Sequence, residues 1–324
     1  MTRPHLVLQL GASHDSIDML REALTGLRPQ LRAHGVSFAA LGRDDPAHTL
    51  PGLLDEERTH AHAARHQVCP TLISCLLSGP EASPAGDPSV SGPYPDAVTV
   101  TRRVIEATGS SQVLVLLHIQ RQDRLMERAY LDAVLAGGSH EFADQFPQRQ
   151  DTSLDFGPLV KQLREVPAVL EVRVRPVELA LADPLGFVDD VLEAIGLSGE
   201  LDLSAVPAAV PATRRLSARG ARIAAAMNAH LDDDAERADV HEFLLEHFGV
   251  TAARAANVRG ILSDDERARI VQTYAQVNHA LFAEHLRDLP ADSYGDEEPM
   301  VAPASGSGYA TSADRPAVRR SNSS

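Results

Sequence analysis

The sequence predicts an α/β fold of three layers, in which helices cover both faces of a doubly wound parallel sheet. Five segments have the composition of β-strands, and most of them are almost continuously apolar, as is typical of strands buried on both faces. They alternate with amphipathic helical segments, which is the order expected of a parallel sheet with crossover helices. The predicted strands cover residues 5–11, 35–41, 70–77, 111–119 and 169–177.

The helical segments between these strands follow the 3.6-residue period. The first covers 16–35 and places Ile17, Leu20 and Leu24 on one face. Residues 169–177 instead alternate between apolar and charged side chains, which favours a strand near an edge of the sheet. The other predicted helices of this region cover 95–110, 121–138 and 184–197.

From about residue 212 the pattern becomes entirely helical, with three amphipathic segments. The last of them begins at Ser263 and has three acidic residues in its first turn, a charge placement that suits a helix N-terminus. We therefore predict one α/β domain over 1–289, of which 212–289 form a helical portion packed on the sheet domain. Residues 290–324 are poor in apolar side chains and are predicted to be disordered.

Composition and charge narrow the possible functions. The formal net charge of -15 argues against nucleic-acid binding through a general electrostatic footprint. No apolar run approaches the roughly 20 residues of a membrane span, and the first residues do not resemble a secretory signal. We therefore expect a cytoplasmic protein that binds neither nucleic acid nor membrane. Cys69 and Cys75 match neither a redox pair nor a zinc site; we expect buried, reduced thiols, with a disulfide between them as the lesser alternative.

The stretch "LQLGASHDSIDML" has the outline of a strand, a phosphate-binding loop and a helix. Its apolar part stops at Gly11, a polar turn follows, and the helical pattern begins near Ile17. In such loops, backbone N–H groups and the positive end of the helix attract an anion. The sequence of this stretch leaves open whether the loop still does so or is an ordinary strand-to-helix turn.

A second polar stretch, "RQDRLMERAY", follows the predicted strand 111–119. It places Arg121, Arg124 and Arg128 at i, i+3 and i+7, on one face of the predicted helix. Guanidinium groups in this arrangement suit a phosphate clamp. The alternative is a solvated face in which these arginines pair with Asp123 and Glu127, and both interpretations stand.

Three segments together resemble bacterial sulfotransferases that use PAPS, 3′-phosphoadenylyl sulfate, and have a P-loop NTPase-like fold. The resemblance spans residues 5–289 and implies transfer of a sulfuryl group from PAPS to a hydroxyl or amine, which leaves PAP. It names neither the acceptor nor the oligomeric state. The segments are "HLVLQLGASHDSIDMLREAL" with "HGVSFAALG", "QVLVLLHIQRQDRLMERAYLDAVLAGG" and "VLEVRVRPVELALADPLGFVDDVLEAIGL".

The resemblance also implies site residues. His14 takes the place of the family's loop lysine and is the candidate catalytic residue, as an electrophile or a general base; a loop histidine that caps the helix is the alternative. Gln120 and Arg128 stand where the family has the Arg and Ser that hold the 3′-phosphate. The implied cofactor-binding residues are Gly11, Ala12, Ser13, His14, Asp15, Ser16, Arg121, Arg124 and Arg128.

Two aspartates depart from the family pattern. Asp15 and Asp18 replace hydroxyl residues of the loop, and at ~4 Å each carboxylate would repel a phosphosulfate by about 1 to 4 kcal/mol. A second hypothesis is therefore a catalytically inactive homologue that acts as a binding or scaffold protein.

Other histidines carry weaker signals. His62 and His66 have the i, i+4 spacing of zinc ligands, with His60 nearby, but we favour a solvated helix face and predict no metal site. His118, at the end of the predicted strand 111–119, either borders the site or is satisfied by the backbone.

Overall fold

Five parallel strands form the central sheet of the computed structural model. They are β1 (Leu6–Ala12), β2 (Ser37–Leu41), β3 (Thr71–Leu77), β4 (Val113–Ile119) and β5 (Val169–Pro176). Their order across the sheet is β2-β3-β1-β4-β5. The five predicted strands are confirmed, and β5 lies at an edge, as its alternating pattern predicts. The structure describes residues 4–12, 15–41, 70–77, 93–140, 154–210, 215–250, 261–287 and 289.

Ten helices and one small two-stranded sheet accompany the central sheet in these residues. The helices are α1 (Asp15–Gly26), α2 (Arg28–Ala33), α3 (Ala97–Thr108), α4 (Gln122–Leu135), α5 (Phe156–Arg164), α6 (Leu179–Ala182), α7 (Pro184–Ala194), α8 (Ala218–Asn228), α9 (Asp234–Phe248) and α10 (Asp264–His285). The small sheet pairs β6 (Arg215–Leu216) with β7 (Gly249–Val250) in antiparallel fashion. No described helix is long and apolar enough to cross a membrane.

Helices cover both faces of the central sheet, so the predicted three-layer α/β fold is confirmed. On one face α1 and α7 bury side chains such as Ile17 and Val188 against Val7 of β1. On the other face α3, α4 and α5 pack on side chains such as Leu8 of β1 and Leu117 of β4. Helices α8 and α10 pack against α4, so the predicted helical portion extends this second layer.

The predicted single helix over 16–35 is wrong, because the chain forms two helices there. Helix α1 ends at Gly26 and α2 begins at Arg28. Pro29 explains the break: its nitrogen carries no hydrogen to donate to the carbonyl group of Thr25, and its ring suits the first turn of a new helix. The predicted start of the last helix is confirmed, since Ser263 caps α10 through a reciprocal pair of hydrogen bonds with Glu266.

The strand order places a crevice at the ends of the central strands. The chain leaves β1 through α1 and α2 towards β2, whereas it leaves β3 through α3 towards β4, on the other side of β1. In a parallel sheet the crevice outside the carboxyl ends of the strands, where this direction reverses, is the usual ligand site. We call this side of the sheet the carboxyl edge.

Several predicted features lie outside the described residues: the tail 290–324, the histidines of 60–66 and Cys69. Cys75 is a buried, free thiol in β3, and its burial raises the pKa of the thiol to about 12. A thiol with so high a pKa stays protonated and unreactive near neutral pH.

Gly11, near the end of β1, allows a close approach of two neighbours. A Cβ atom at this position would stand 3.2 Å from Cβ of His118 and 3.2 Å from Cδ1 of Ile17. The Cβ atom of His118 is fixed to the backbone of β4 and cannot rotate away. We expect Gly11→Ala to lower the free energy of unfolding by roughly 1 kcal/mol, measured by urea denaturation. Gly26→Ala is the control, because a Cβ there meets nothing within 4 Å; an equal loss in both variants would contradict this packing argument.

Candidate functional site

The loop between β1 and α1 lies at the carboxyl edge. Gly11 and Ala12 end β1 and are buried, while Asp15 and Ser16 begin α1 with exposed fractions of 5% and 0%. Ser13 and His14 lie outside the described residues. The structure therefore brings the described loop residues to the crevice, and the proposed role of His14 stays a prediction.

The two loop aspartates occupy different environments. Oδ2 of Asp15 accepts an ion-pair contact of 2.7 Å from Nη2 of Arg215, which belongs to β6. Asp18 is exposed on α1, and its negative charge acts on Arg21. A counter-charge thus accompanies the buried carboxylate, and the other carboxylate is directed towards solvent. The repulsion that the sequence alone predicts for an anion is correspondingly reduced.

Arg215 was not a candidate in the sequence, yet it lies at the start of α1. Its Nη2 atom contacts Asp15, whereas its Nε atom is shielded from solvent and has no hydrogen-bond partner among the residues that the structure describes. The Arg215 side chain as a whole is 30% exposed. Asp15 therefore holds one end of this cation in place at the start of α1.

Arg121 departs from the face expected for the three arginines. It is the N-cap of α4, with an extended backbone (φ −56°, ψ 136°), so it does not continue the helical spacing of Arg124 and Arg128. Its Nε and Nη2 atoms donate to the two carboxylate oxygens of Asp123, at 2.6 and 2.9 Å. Arg267 of α10 donates to the same carboxylate. Arg121 is thereby part of a buried ion cluster.

The other two arginines differ in how they are held. Arg128 donates to Asp132, one turn along α4, at 3.0 Å. Arg124 is half-buried and makes no hydrogen bond within the part of the chain that the structure describes, although its positive charge acts on Glu178. Glu127, a partner expected for these arginines, instead accepts a hydrogen bond from Arg267 at 2.9 Å. Of the three guanidinium groups, that of Arg124 is the one available to a ligand.

Glu178 follows β5 and faces the start of α4. Its Oε1 atom accepts a hydrogen bond of 2.9 Å from the backbone N–H of Arg121. Its Oε2 atom is shielded from solvent and has no hydrogen-bond partner in the described ranges. Burial raises the pKa of this carboxyl group above its usual value, although the Arg121 N–H and the charge of Arg124 oppose the shift. The sequence did not single out Glu178; its place at the end of a strand was the signal that would have found it.

Tyr94 connects this carboxylate with the end of β1. The side chain is 2% exposed and lies just before α3. Burial and the charge of Glu178 raise the pKa of Tyr94, and a hydrogen bond with the backbone of Ala12 lowers it. Tyr94 therefore lies between the end of β1 and Glu178, which in turn faces Arg124.

A buried polar network crosses the sheet directly beneath this edge. Ser74 of β3 donates to Oε1 of Gln9 in β1, and Nε2 of Gln9 lies 3.0 Å from Nδ1 of His118 in β4. The amide of Gln9 therefore donates to Nδ1, so His118 is neutral with its proton on Nε2. Burial lowers the pKa of His118 to about 4. His118 also packs against Phe187, with ring centroids 5.0 Å apart.

Comparison with known proteins gives one similar solved structure. No family model matches the chain, and no curated protein matches it. The crystal structure of a sulfotransferase from Alicyclobacillus acidocaldarius is 15% identical to the chain, with a TM-score of 0.33. The similarity covers 76% of this chain and 97% of that chain. The fold assigned to this protein therefore rests on its own strand order, and its function must be argued from the side chains at the carboxyl edge.

These side chains provide cations and one hydrogen-bond acceptor. Arg124 is suited to an anion, while Oε2 of Glu178 is suited to a group that donates a hydrogen bond. No cluster of three or more His, Cys, Asp or Glu side chains among the described residues has the arrangement of a metal site. The carboxyl edge is thus suited to bind an anionic ligand next to a neutral or cationic group that donates a hydrogen bond.

Proposed function

We propose that the protein is a sulfotransferase, which moves a sulfuryl group from PAPS to a hydroxyl or amine of an acceptor not yet identified. The observation that carries this proposal is the half-buried guanidinium of Arg124, which has no hydrogen bond within the described residues and lies at the edge where β1 and β4 end. The resemblance of three sequence segments to bacterial sulfotransferases supports the same activity. The pairing of Asp15 with Arg215 supports it further, because it offsets the carboxylate that would repel the donor.

In this reaction the protein's main task is to position two reactants and to compensate charge. The bond from sulfur to the phosphate oxygen of PAPS breaks while the bond from sulfur to the acceptor atom forms, and negative charge develops on the departing phosphate. The backbone N–H groups of residues 11–16 and His14 would face that phosphate. Arg124 would bind a phosphate group of the donor directly, and Arg121 and Arg128 would add positive charge nearby while they remain held by their carboxylates.

A second candidate function is that of an inactive homologue which binds a partner. The internal pairing of Arg121 with Asp123 and of Arg128 with Asp132 favours it, because two of the three arginines already have counter-ions. In this case the loop would have kept its backbone path and lost its affinity for the donor.

Calorimetry with PAP separates the two candidates. We expect the unmodified protein to bind PAP with a micromolar Kd, and Arg124→Ala to weaken binding about tenfold or more, since a hydrogen bond to a charged group contributes roughly 1.5 to 3 kcal/mol. Arg164→Ala is the matched control, because Arg164 ends α5 at the opposite edge of the sheet and pairs with Glu284 on the surface.

Three other results of the PAP-binding experiment would contradict the proposed function or the role of Arg124. Absence of binding at millimolar PAP would exclude the sulfotransferase. If the variant with both His14→Lys and Asp18→Thr then bound PAP, the inactive homologue would be supported, because the binding frame would have survived without its side chains. Equal weakening by Arg124→Ala and Arg164→Ala would remove Arg124 from the donor site.

A further inference from the structure

Glu178 has one carboxylate oxygen that makes no hydrogen bond within the part of the chain that the structure describes. The residue lies two positions beyond the end of β5, at the carboxyl edge. The backbone N–H of Arg121 donates to Oε1, while Oε2 is shielded from solvent and has no hydrogen-bond partner among the described residues. The carboxyl group is thus held in one orientation, with one oxygen directed away from its anchor.

A shielded carboxylate oxygen without a donor is costly, because it has lost water and gained nothing in return. Among the described residues, three charged or titratable groups face Glu178: Tyr94 from the segment before α3, and Arg121 and Arg124 from the start of α4. Arg121 donates to Asp123, and none of the three groups makes a hydrogen bond with Oε2. A ligand that donates a hydrogen bond would satisfy Oε2.

The acceptor of a sulfuryl group is such a ligand, since it presents a hydroxyl or an amine. We propose that Glu178 binds this group through Oε2 and acts as the general base that accepts its proton. The inference rests on the proposed function and names a catalytic residue for it. It leaves His14 with the electrophilic role on the side of the donor.

In the proposed step, the proton of the acceptor moves to Glu178 and the sulfuryl group moves to the acceptor. The O–H or N–H bond of the acceptor breaks and its proton passes to Oε2 of Glu178, while the acceptor atom forms its bond to sulfur. The electron pair of the broken bond between sulfur and oxygen stays with the phosphate oxygen, which leaves as PAP. The proton on Glu178 then returns to solvent.

The surroundings of Glu178 suit a base that must work near neutral pH. Burial raises the pKa of the carboxyl group, and a base is most effective when its pKa approaches the working pH. The charge of Arg124 opposes this rise in the pKa and favours the ionised form. The same arginine lies near the proposed donor phosphate, so that donor and base are adjacent.

Glu178→Gln tests the assignment, because glutamine keeps an oxygen for the Arg121 N–H but cannot accept the proton. Two measurements are made on each protein: PAP binding by calorimetry, and release of PAP from PAPS with water alone and with added tyramine, a phenol and an amine in one molecule. We expect Glu178→Gln to bind PAP within twofold of the unmodified protein and to lose at least 100-fold in PAP release. Glu165→Gln, at an exposed position after α5, is expected to change neither.

The pH profile distinguishes a base from a residue that only holds the structure. In the unmodified protein, kcat/KM should fall on the acid side as Glu178 becomes protonated, and this limb should be absent from Glu178→Gln. PAP release within threefold of the unmodified protein, or an unchanged acid limb, would overturn the assignment. PAP binding without release from either acceptor would overturn it as well, whereas a lack of PAP binding by the unmodified protein would instead refute the proposed function.

Discussion

Replacement of Asp123 by alanine is expected to destabilise the protein by about 3 to 5 kcal/mol. Asp123 is completely buried and accepts hydrogen bonds from Arg121 and Arg267, so it joins the start of α4 to α10. Its loss would remove the carboxylate that two guanidinium groups contact, and the guanidinium of Arg121 is only 5% exposed. Removal of one partner of a buried ion pair costs several kcal/mol, because water does not take the place of the lost carboxylate.

The comparison that tests this expectation uses a second aspartate of the same helix. Asp132 pairs with Arg128, but both side chains are partly exposed, at 26% and 19%. Exposed pairs of this kind contribute little, and Asp132→Ala should cost less than about 0.5 kcal/mol. Urea denaturation at pH 7 measures both variants. If the two variants lost similar amounts of unfolding free energy, the Asp123 cluster would contribute no more than an exposed ion pair, and the expectation would be wrong.

Acidic solution should weaken the same cluster. Burial alone would raise the pKa of Asp123, but the hydrogen bonds and charges of Arg121 and Arg267 hold it below its usual value. A carboxyl group whose pKa is lowered in the folded state stabilises that state above its unfolded pKa. The stabilisation is therefore present at neutral pH and is lost as the pH falls through the lowered pKa.

The fold was predictable because the central strands are buried on both faces. Such strands must be apolar throughout, so β1, β3 and β4 are visible as uninterrupted apolar runs. The edge position of β5 was also predictable, because an edge strand is partly exposed to solvent and its exposed positions carry charged residues. In contrast, two-residue strands such as Arg215–Leu216 have no period that a sequence pattern could reveal.

Helix boundaries were less predictable than the helices themselves. The break between α1 and α2 depends on a single proline, and the apolar period continues across it through Leu27 and Leu31. Helix α5 was missed, although Asp155 caps it by accepting a hydrogen bond of 2.8 Å from the N–H of Gly157. An N-cap aspartate before an apolar period was the signal that would have located it.

The site was predictable only where its residues are neighbours in sequence. The loop at Gly11 follows from a strand that stops at a glycine before a helix. Arg215 is instead brought to this loop by β6, and Glu178 is brought to the start of α4 by β5. Both lie far along the chain from these partners, and no sequence spacing links them. The expected face of three arginines failed at Arg121, because the backbone there is extended and the helical period does not yet apply.

The pH dependence of stability should carry the signature of His118. Its pKa is about 4 in the folded protein, because burial disfavours the charged ring, whereas an unfolded histidine titrates near 6.5. The unfolded state therefore binds a proton between these values that the folded state does not. The neutral His118 therefore makes its full contribution to the free energy of unfolding above about pH 6.5. This contribution falls as the pH decreases towards 4, by about 2 kcal/mol between pH 7 and pH 5.

The variant His118→Asn separates this titration from the carboxylates that also respond to acid. Asparagine retains an oxygen that can accept the hydrogen bond from Gln9, and the cavity it leaves beside Phe187 costs the same free energy at both pH values. The difference in unfolding free energy between pH 7 and pH 5 should thus shrink by about 2 kcal/mol. His230→Asn, at an exposed position, should keep the difference of the unmodified protein. If His118→Asn also kept the full difference between pH 7 and pH 5, His118 would not be the buried, neutral acceptor of the hydrogen bond from Gln9.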